Sequence, residues 1–181
     1  MTPAMTIKAI CRFFEGRLST LRPDGDKGAE RKISIYRYNL PDPSSTQMTQ
    51  NIGSAAMPDS YEGMMPALVV SPVSYEDKAF EDGTSLLCVS LLAGVFSRDP
   101  MNVDGPCAIL NILEHIRRIL LTHRVLEDLY EVQEPLSWQL FDEGTKPLWF
   151  GEMITQWRIG APKRVWMDND WRGDEFTLKR K

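Results

Sequence analysis

The N-terminal part of the chain carries apolar residues at three- and four-residue spacing, which is the pattern of an amphipathic helix. The pattern runs from Met5 to Leu21, and the helix-ending residues Pro23 and Gly25 follow it. The apolar positions are Ile7, Ile10, Cys11, Phe14, Leu18 and Leu21. We therefore predict a first helix over residues 5–21 with one face buried.

A second helix is predicted from Asp104-Gly-Pro106, because this tripeptide offers an N-cap side chain followed by proline in the first turn. On the polar face of this helix, Glu114 precedes Arg118 by four residues, the favourable order for an ion pair across one turn. We expect that face to be solvated. The apolar face consists of Ile109, Leu110, Ile112, Leu113, Ile116, Ile119 and Leu120.

Five stretches show the alternation, or the short β-branched and aromatic runs, that predict β-strands. Pro72 cannot donate a ladder hydrogen bond, so its strand is expected at an edge or a bulge, whereas the apolar third strand should be central. Hairpins are predicted between the second and third strands and between the last two. The strands are Ile33–Leu40, Ala67–Tyr75, Ser85–Val95, Tyr130–Leu140 and Trp149–Ile159.

The predicted fold class is α+β, a mainly antiparallel sheet packed against an N-terminal helix and one long central helix. Residues 1–159 are expected to form a single domain that contains a long loop at residues 41–66. Residues 160–181 have mixed charges and no period, which predicts an extended C-terminal tail. The loop contains the adaptable side chains Met48, Met57, Met64 and Met65, which suit either a partner or a loose surface insertion.

Composition favours an ordinary folded protein. The chain has 181 residues, of which 43% are hydrophobic and 25% charged. A net charge of −4 argues against a surface built to neutralise nucleic-acid phosphates. Cys11, Cys88 and Cys107 lie in apolar stretches, so we expect reduced core thiols and a cytosolic origin. No apolar run has the roughly 18–20 residues that span a bilayer, so no membrane partner is expected.

The sequence offers little catalytic chemistry, since the usual serine-nucleophile, phosphate-loop and dinucleotide motifs are absent from it. His115 and His123 are eight residues apart, unlike a zinc pair, and are expected at the surface or in a cap. Acidic residues near strand and helix ends form the alternative of a magnesium nuclease site. That set is Asp99, Asp104, Asp142, Glu143 and Glu152, with Lys146.

Glu152 projects from an aromatic-rich strand directly after Gly151, a residue that lets another backbone approach closely. One interpretation is a solvent-facing strand residue. The other is a carboxylate at a subunit contact or facing the lumen of an assembly.

Several segments between residues 67 and 159 occur in a characteristic order. The first is a valine-rich strand led by proline, Pro66-Ala-Leu-Val-Val70; a second apolar strand comes next, and Asp104-Gly105 opens the long helix. After the helix come Tyr130-Glu-Val-Gln-Glu-Pro-Leu-Ser-Trp138 and Pro147-Leu-Trp-Phe-Gly-Glu-Met153. In this order the segments resemble the tail terminator (tail completion) proteins of long-tailed phages and phage-derived tail particles.

This resemblance implies an α+β fold and assembly into a ring, commonly a homohexamer, which sits on the last ring of the tail tube and stops its growth. Such a ring docks the head–tail connector protein and, in contractile tails, the sheath, while DNA passes through its channel. The resemblance implies a non-enzymatic structural protein with no cofactor. Its place would be the virion tail or neck, after assembly in the bacterial cytoplasm.

Ring closure needs two different complementary patches on each subunit. We expect them to use large aromatic side chains of the last two strands and of the tail, because aromatic anchors dominate interfaces. The expected interface residues are Trp138, Trp149, Phe150, Glu152, Trp166, Trp171 and Phe176.

Two alternatives remain open. Another neck or tail ring component, such as a connector or tube subunit, would share the demand for ring formation, but a tube subunit should stack rings indefinitely. A magnesium-dependent nuclease belongs to a different class, and it would lose cleavage when Asp104 and Glu152 are replaced by alanine.

Overall fold

The part of the chain that the structure describes contains two α-helices and a six-stranded mixed sheet. The computed structural model describes residues 2–18, 21, 32–42, 61–78, 83–99, 101, 103–141 and 146–160. The sheet curls into a half-barrel, and the α+β class expected from the sequence holds at this level. The tail at residues 161–181 and most of the loop, residues 43–60, lie outside the described residues.

Helix α1 spans Pro3–Arg17 and therefore begins and ends earlier than the predicted range of residues 5–21. Thr2 caps it, accepting a hydrogen bond from the Met5 N–H at 3.4 Å, and Pro3 occupies the first turn. Thr2 and Pro3 mark the start of the helix, which the spacing of the apolar residues alone does not reveal. Phe14 and the other apolar side chains of the predicted stripe are buried as far as Leu18.

The strands are β1 (Ser34–Arg37), β2 (Ala67–Lys78), β3 (Thr84–Phe96), β4 (Val125–Leu126), β5 (Tyr130–Phe141) and β6 (Leu148–Gly160). They are arranged in the order β1-β2-β3-β6-β5-β4. β1 runs parallel to β2, and every other neighbouring pair is antiparallel. The sheet is therefore mixed, with two short strands at its ends.

The pairing confirms both predicted hairpin partnerships and the central place of β3, which pairs with β2 on one side and β6 on the other. It also confirms a bulge beside Pro72, where the register shifts between Pro72 and Ser74. β1 is shorter than predicted, because Tyr38 takes a left-handed backbone conformation with φ of 71° directly after it. A short 3₁₀ turn at Tyr61–Met64 and the two-residue β4 were not predicted.

Helix α2 spans Asp104–Thr122, but the prediction that Asp104 is its N-cap was wrong. Val103 holds that position without a side-chain cap, and the Asp99 carboxylate accepts hydrogen bonds from the N–H groups of Val103 at 2.7 Å and Asp104 at 3.2 Å. Asp99 lies several residues upstream, so its role depends on the path of the loop. Asp104 instead lies in the first turn, where its negative charge interacts favourably with the positive end of the helix dipole.

The polar face of α2 is largely exposed, as expected, but the predicted ion pair has a different partner. Glu114 is bonded by Arg117, whose Nε and Nη2 donate at 2.8 and 2.9 Å, instead of by Arg118. A residue three positions away is also a neighbour on a helix, and the two-pronged geometry of arginine favours it here. These hydrogen bonds lower the pKa of Glu114.

One face of the sheet and both helices enclose the core. α1 contacts β1, β2 and β4, whereas α2 contacts β3, β5 and β6. We call this face of the sheet the helix face and the opposite one the second face. Large buried side chains of the helix face include Leu87, Leu91, Met153 and Trp157.

Candidate interaction surface

Two of the segments that resemble tail terminator proteins meet at the start of α2. Gly105 lies against the indole of Trp149 on β6, and a Cβ atom added at Gly105 would come closer than 3.0 Å to three atoms of that ring. On the neighbouring strands, Trp138 pairs with Met153 and Gln139 with Glu152. The Pro-x-x-Trp and Trp-Phe-Gly-Glu segments are therefore adjacent antiparallel strands of one sheet.

Trp149 and Phe150 lie on opposite faces of β6. Trp149 is 6% exposed and belongs to the core, so most of its surface is used inside the subunit. Phe150 is half-buried on the second face. The Lys146 ammonium lies 5.5 Å from the centroid of a Trp149 ring, a cation–π distance.

An apolar groove opens between the first turns of α2 and the ends of β5 and β6. Its volume is about 290 Å³, at the lower end of the roughly 300–1,000 Å³ that small-molecule pockets have. The groove is open to solvent on one side, where Leu140 and Phe141 are exposed. Its lining residues are Pro106, Ile109, Leu140, Phe141, Trp149 and Phe150.

Trp138 differs from Trp149 in being on the surface, with 47% of its area exposed. It lies on β5 beside Leu140 and Phe141, which are 37% and 38% exposed. Trp138 and Leu140 project on the helix face and Phe141 on the second face, so large apolar side chains are exposed on both sides of this end of β5.

Glu152 is half-buried on the second face of the sheet. The Ser90 hydroxyl donates to its Oε1 at 2.6 Å, and the Gln139 amide donates to its Oε2 at 3.1 Å. Strands on both sides thus hold the carboxylate in place. It is a fixed acceptor on the sheet surface, which is compatible with the interface interpretation and differs from a freely rotating solvent residue.

The close approach at Gly151 comes from side chains, and not from a second backbone as predicted. A Cβ atom there would be closer than 3.0 Å to Ile109 Cγ2 and 3.0 Å from Leu113 Cδ1, both on α2. Gly151 therefore lets α2 pack against β6.

Two edges of the sheet extend past their short neighbouring strands. β1 pairs with β2 only at Ala67–Val70, and β4 pairs with β5 only at Tyr130–Glu131. β2 continues to Lys78 and β5 to Phe141, beyond the residues that pair with β1 and β4. Val73 and Tyr75, on β2, are 58% and 44% exposed. These β2 residues were not predicted as interface candidates, and Pro72 was the only sequence signal of an edge.

Two of the four loop methionines belong to the described residues, and neither of them is exposed. Met65 is buried within the subunit, which corrects the idea that the loop methionines as a group face a partner; Met64 is half-buried. Met48 and Met57 lie outside the described residues, as do the tail residues Trp166, Trp171 and Phe176.

The prediction of three core cysteines holds for Cys11 alone. Burial raises the pKa of its thiol to about 11. Cys88 is half-buried and Cys107 is exposed, and all three thiols are free. Cys107 lies in an apolar stretch of sequence but on the outer side of α2, since a helix places neighbouring residues on different faces.

Among the described acidic residues of the nuclease alternative, Asp99 and Asp104 both lie at the start of α2, whereas Glu152 lies on the second face of the sheet. Asp99 caps α2, Asp104 lies in its first turn, and Glu152 is bonded on the sheet face. Asp142 and Glu143 lie outside the described residues. Among the described residues, no group of three or more His, Cys, Asp or Glu side chains is placed to hold a metal ion.

The two histidines behave as surface and capping residues. His115 is half-buried on α2, and His123 is exposed at the helix end, where its N–H donates to the Ile119 carbonyl. The rings of His123 and Phe13 pack edge to face, with 6.0 Å between their centroids.

None of the helices within the described ranges combines the length and apolar character needed to cross a membrane. No protein-family model matches the chain, and no curated protein is significantly similar to it.

Proposed function

We propose that this chain is a non-catalytic subunit of a ring that closes the end of a phage-type tail tube. The observation that supports this most is the packing of the resemblance segments into one unit, with Asp104-Gly105 seated on Trp149 and the two tryptophan motifs paired as neighbouring strands. In this proposal residues 1–159 form the tail-terminator-like domain, and residues 160–181 form a tail that contacts a neighbour.

The exposed apolar side chains fit a protein that assembles with partners better than they fit an enzyme. Exposed aromatic and aliphatic side chains lie on β2 and β5, which are on opposite sides of β3 and β6 in the sheet. A closed ring requires two unlike patches on each subunit, and two separate apolar edges meet that requirement. The partners in this proposal are further copies of the chain, the tube protein, the head–tail connector and, in a contractile tail, the sheath.

The function can be tested with purified full-length chain and its tail tube protein. We expect electron micrographs to show a single ring at one end of each tube, and tubes that stop elongating when the chain is added. Stacked rings of the chain alone would indicate a tube subunit instead. Tubes that grow equally long with and without the chain would contradict the proposal.

A further inference from the structure

The apolar groove beside the start of α2 has no charged side chain in its walls. Ile109 and Trp149 are buried beneath it, whereas Leu140 and Phe141 on its open side are 37% and 38% exposed. Apolar pockets of this kind on protein surfaces are filled by large apolar side chains of a partner, and most often by aromatic ones. The groove therefore suits an aromatic side chain.

The chain itself provides such a side chain in its C-terminal segment, residues 161–181, which lies outside the described residues. The longest apolar run of this segment is Val165-Trp-Met167, preceded by Lys163 and Arg164 and followed by Asp168. The two other aromatic residues of the segment each adjoin a charged residue. Trp166 is thus the one whose neighbours in sequence also suit an apolar groove.

The charges around the groove and around this run are complementary. Asp104 is exposed in the first turn of α2, and the Lys146 ammonium lies 5.5 Å from the centroid of a Trp149 ring. The groove thus has one charge of each sign beside it, and the apolar run has a basic pair on one side and an acidic residue on the other. Complementary charges of this kind fix the register of a bound segment.

The C-terminal segment begins at the end of β6 that is far from the groove. From Phe150 to Gly160 the strand rises about 33 Å, at about 3.3 Å per residue. From Gly160 to Trp166 even a fully extended chain spans at most about 22 Å, at about 3.6 Å per residue. Trp166 therefore falls short of the groove of its own subunit, and a Trp166 that fills a groove belongs to another copy.

We infer that Val165–Met167 of one copy occupies the apolar groove of the next, with Trp166 as the buried anchor. This inference rests on the proposed ring function and names one contact that would build the ring. A segment and a groove are unlike patches, so the contact is heterologous, as a closed ring requires. If β6 ran along the ring axis, every Gly160 would lie about 33 Å from the level of the grooves, so β6 must be inclined to that axis.

The first test places a photoreactive benzophenone amino acid at position 166 of the full-length chain, where one aromatic side chain replaces another. This chain is assembled with an excess of nitrogen-15-labelled wild-type chain, so a cross-link between copies joins a light peptide to a heavy one. We expect the heavy peptide to contain residues 106–109, 140–141 or 149–150, which line the groove.

Two other cross-linking results would overturn the inference. A light peptide from the groove would mean that the segment binds its own subunit, and a heavy peptide from elsewhere would mean that it binds another surface of the next copy. The same measurement with the tube protein present tests a third occupant: a probe that cross-links to the tube protein, and to no copy of the chain, also overturns the inference.

The second test compares variants by native mass spectrometry over a range of concentrations, with circular dichroism to establish that each is folded. Trp166→Ala should raise the concentration at which half of the chain is in rings by about tenfold or more, because it removes the anchor. Phe176→Ala, which truncates another aromatic residue of the same segment, is the control and should assemble like the wild type. Equal effects of the two variants would overturn the assignment of Trp166.

The groove itself is tested by Leu140→Gln, which makes its open side polar, with Met5→Gln on the exposed face of α1 as the control. Leu140→Gln should weaken ring formation as Trp166→Ala does, and combining the two should add little, because both remove the same contact. Additive losses would overturn the pairing of this side chain with this groove. Should Leu140→Gln not fold, the cross-link and the two variants of the C-terminal segment still decide the question.

The failure of this inference is distinguishable from failure of the proposed function. Rings that form equally well with Trp166→Ala and the wild type would overturn the groove contact and leave the ring standing. A wild-type chain that is a monomer at every concentration would overturn both.

Discussion

Gly105 and Trp149 are in direct contact: the first turn of α2 rests on the indole, with no room for a Cβ atom between them. Gly105→Ala should therefore destabilise the protein by about 1–3 kcal/mol, the usual cost of overpacking. Urea unfolding followed by circular dichroism measures this change.

The matched control for that substitution is Gly16→Ala on α1, where an added Cβ meets no atom of the described residues within 4 Å. Alanine is the better helix former, so this variant should be stabilised by up to about 1 kcal/mol. Equal stability of Gly105→Ala and the wild type would show that the helix can shift away from the indole, contrary to the packing described.

The second prediction concerns a buried hydrogen-bond chain between β6 and β3. The Trp157 indole N–H donates to Thr155 Oγ1 at 2.9 Å, and the Thr155 hydroxyl donates to the Val89 carbonyl at 3.0 Å. Thr155→Val keeps the shape but removes the acceptor of the buried Trp157 N–H, which should cost about 1–3 kcal/mol. The exposed Thr122→Val is the control, expected within about 0.5 kcal/mol of the wild type. If Thr155→Val lowers the free energy of unfolding no more than the control does, these hydrogen bonds do not contribute to the stability of the fold.

The third prediction concerns the thiols. Cys107 is exposed and should react quickly with a chromogenic disulfide reagent, whereas Cys11 should react only on unfolding, because burial raises its pKa to about 11 and excludes the reagent. Cys107→Ser should abolish the fast phase in native protein. A fast phase that survives in Cys107→Ser and disappears in Cys11→Ser would contradict the assigned burial.

The fourth prediction concerns pH. The Arg117 hydrogen bonds lower the pKa of Glu114 in the folded state, so the pair stabilises the fold above the unfolded-state pKa and loses this effect as the pH falls through the folded value. Arg117→Gln should be slightly less stable than the wild type at pH 7, and the two should converge in acid. The effect is small because both side chains are solvated. Urea unfolding at each pH measures these stabilities, and Arg118→Gln should differ less from the wild type than Arg117→Gln does. If both variants lose the same stability, the ion pair between Glu114 and Arg118 would be favoured instead.

Much of the fold follows from periodicity. Trp149, Met153, Trp157 and Ile159 alternate in the sequence, and all four are buried on the helix face of β6. The alternation is visible in the sequence because every second residue of the strand lies on the same packed face. The parallel pairing of β1 with β2 joins segments distant in sequence, and its register depends on the whole sheet.

The candidate surface was less predictable than the strands that carry it. Trp138 and Trp149 are both aromatic residues of the same hairpin, yet one is exposed and the other buried, because α2 lies over Trp149. Where a helix lies across a sheet is a tertiary property that alternation does not encode. The same holds for Asp99, whose capping role depends on the path of the chain before α2.

The proposed function requires that the chain form a ring, which native mass spectrometry of the full-length chain over a range of concentrations can detect. We expect one closed oligomer, commonly of six copies, whose mass does not grow as the concentration rises. A monomer at every concentration, or a series of masses that lengthens with concentration, would contradict it.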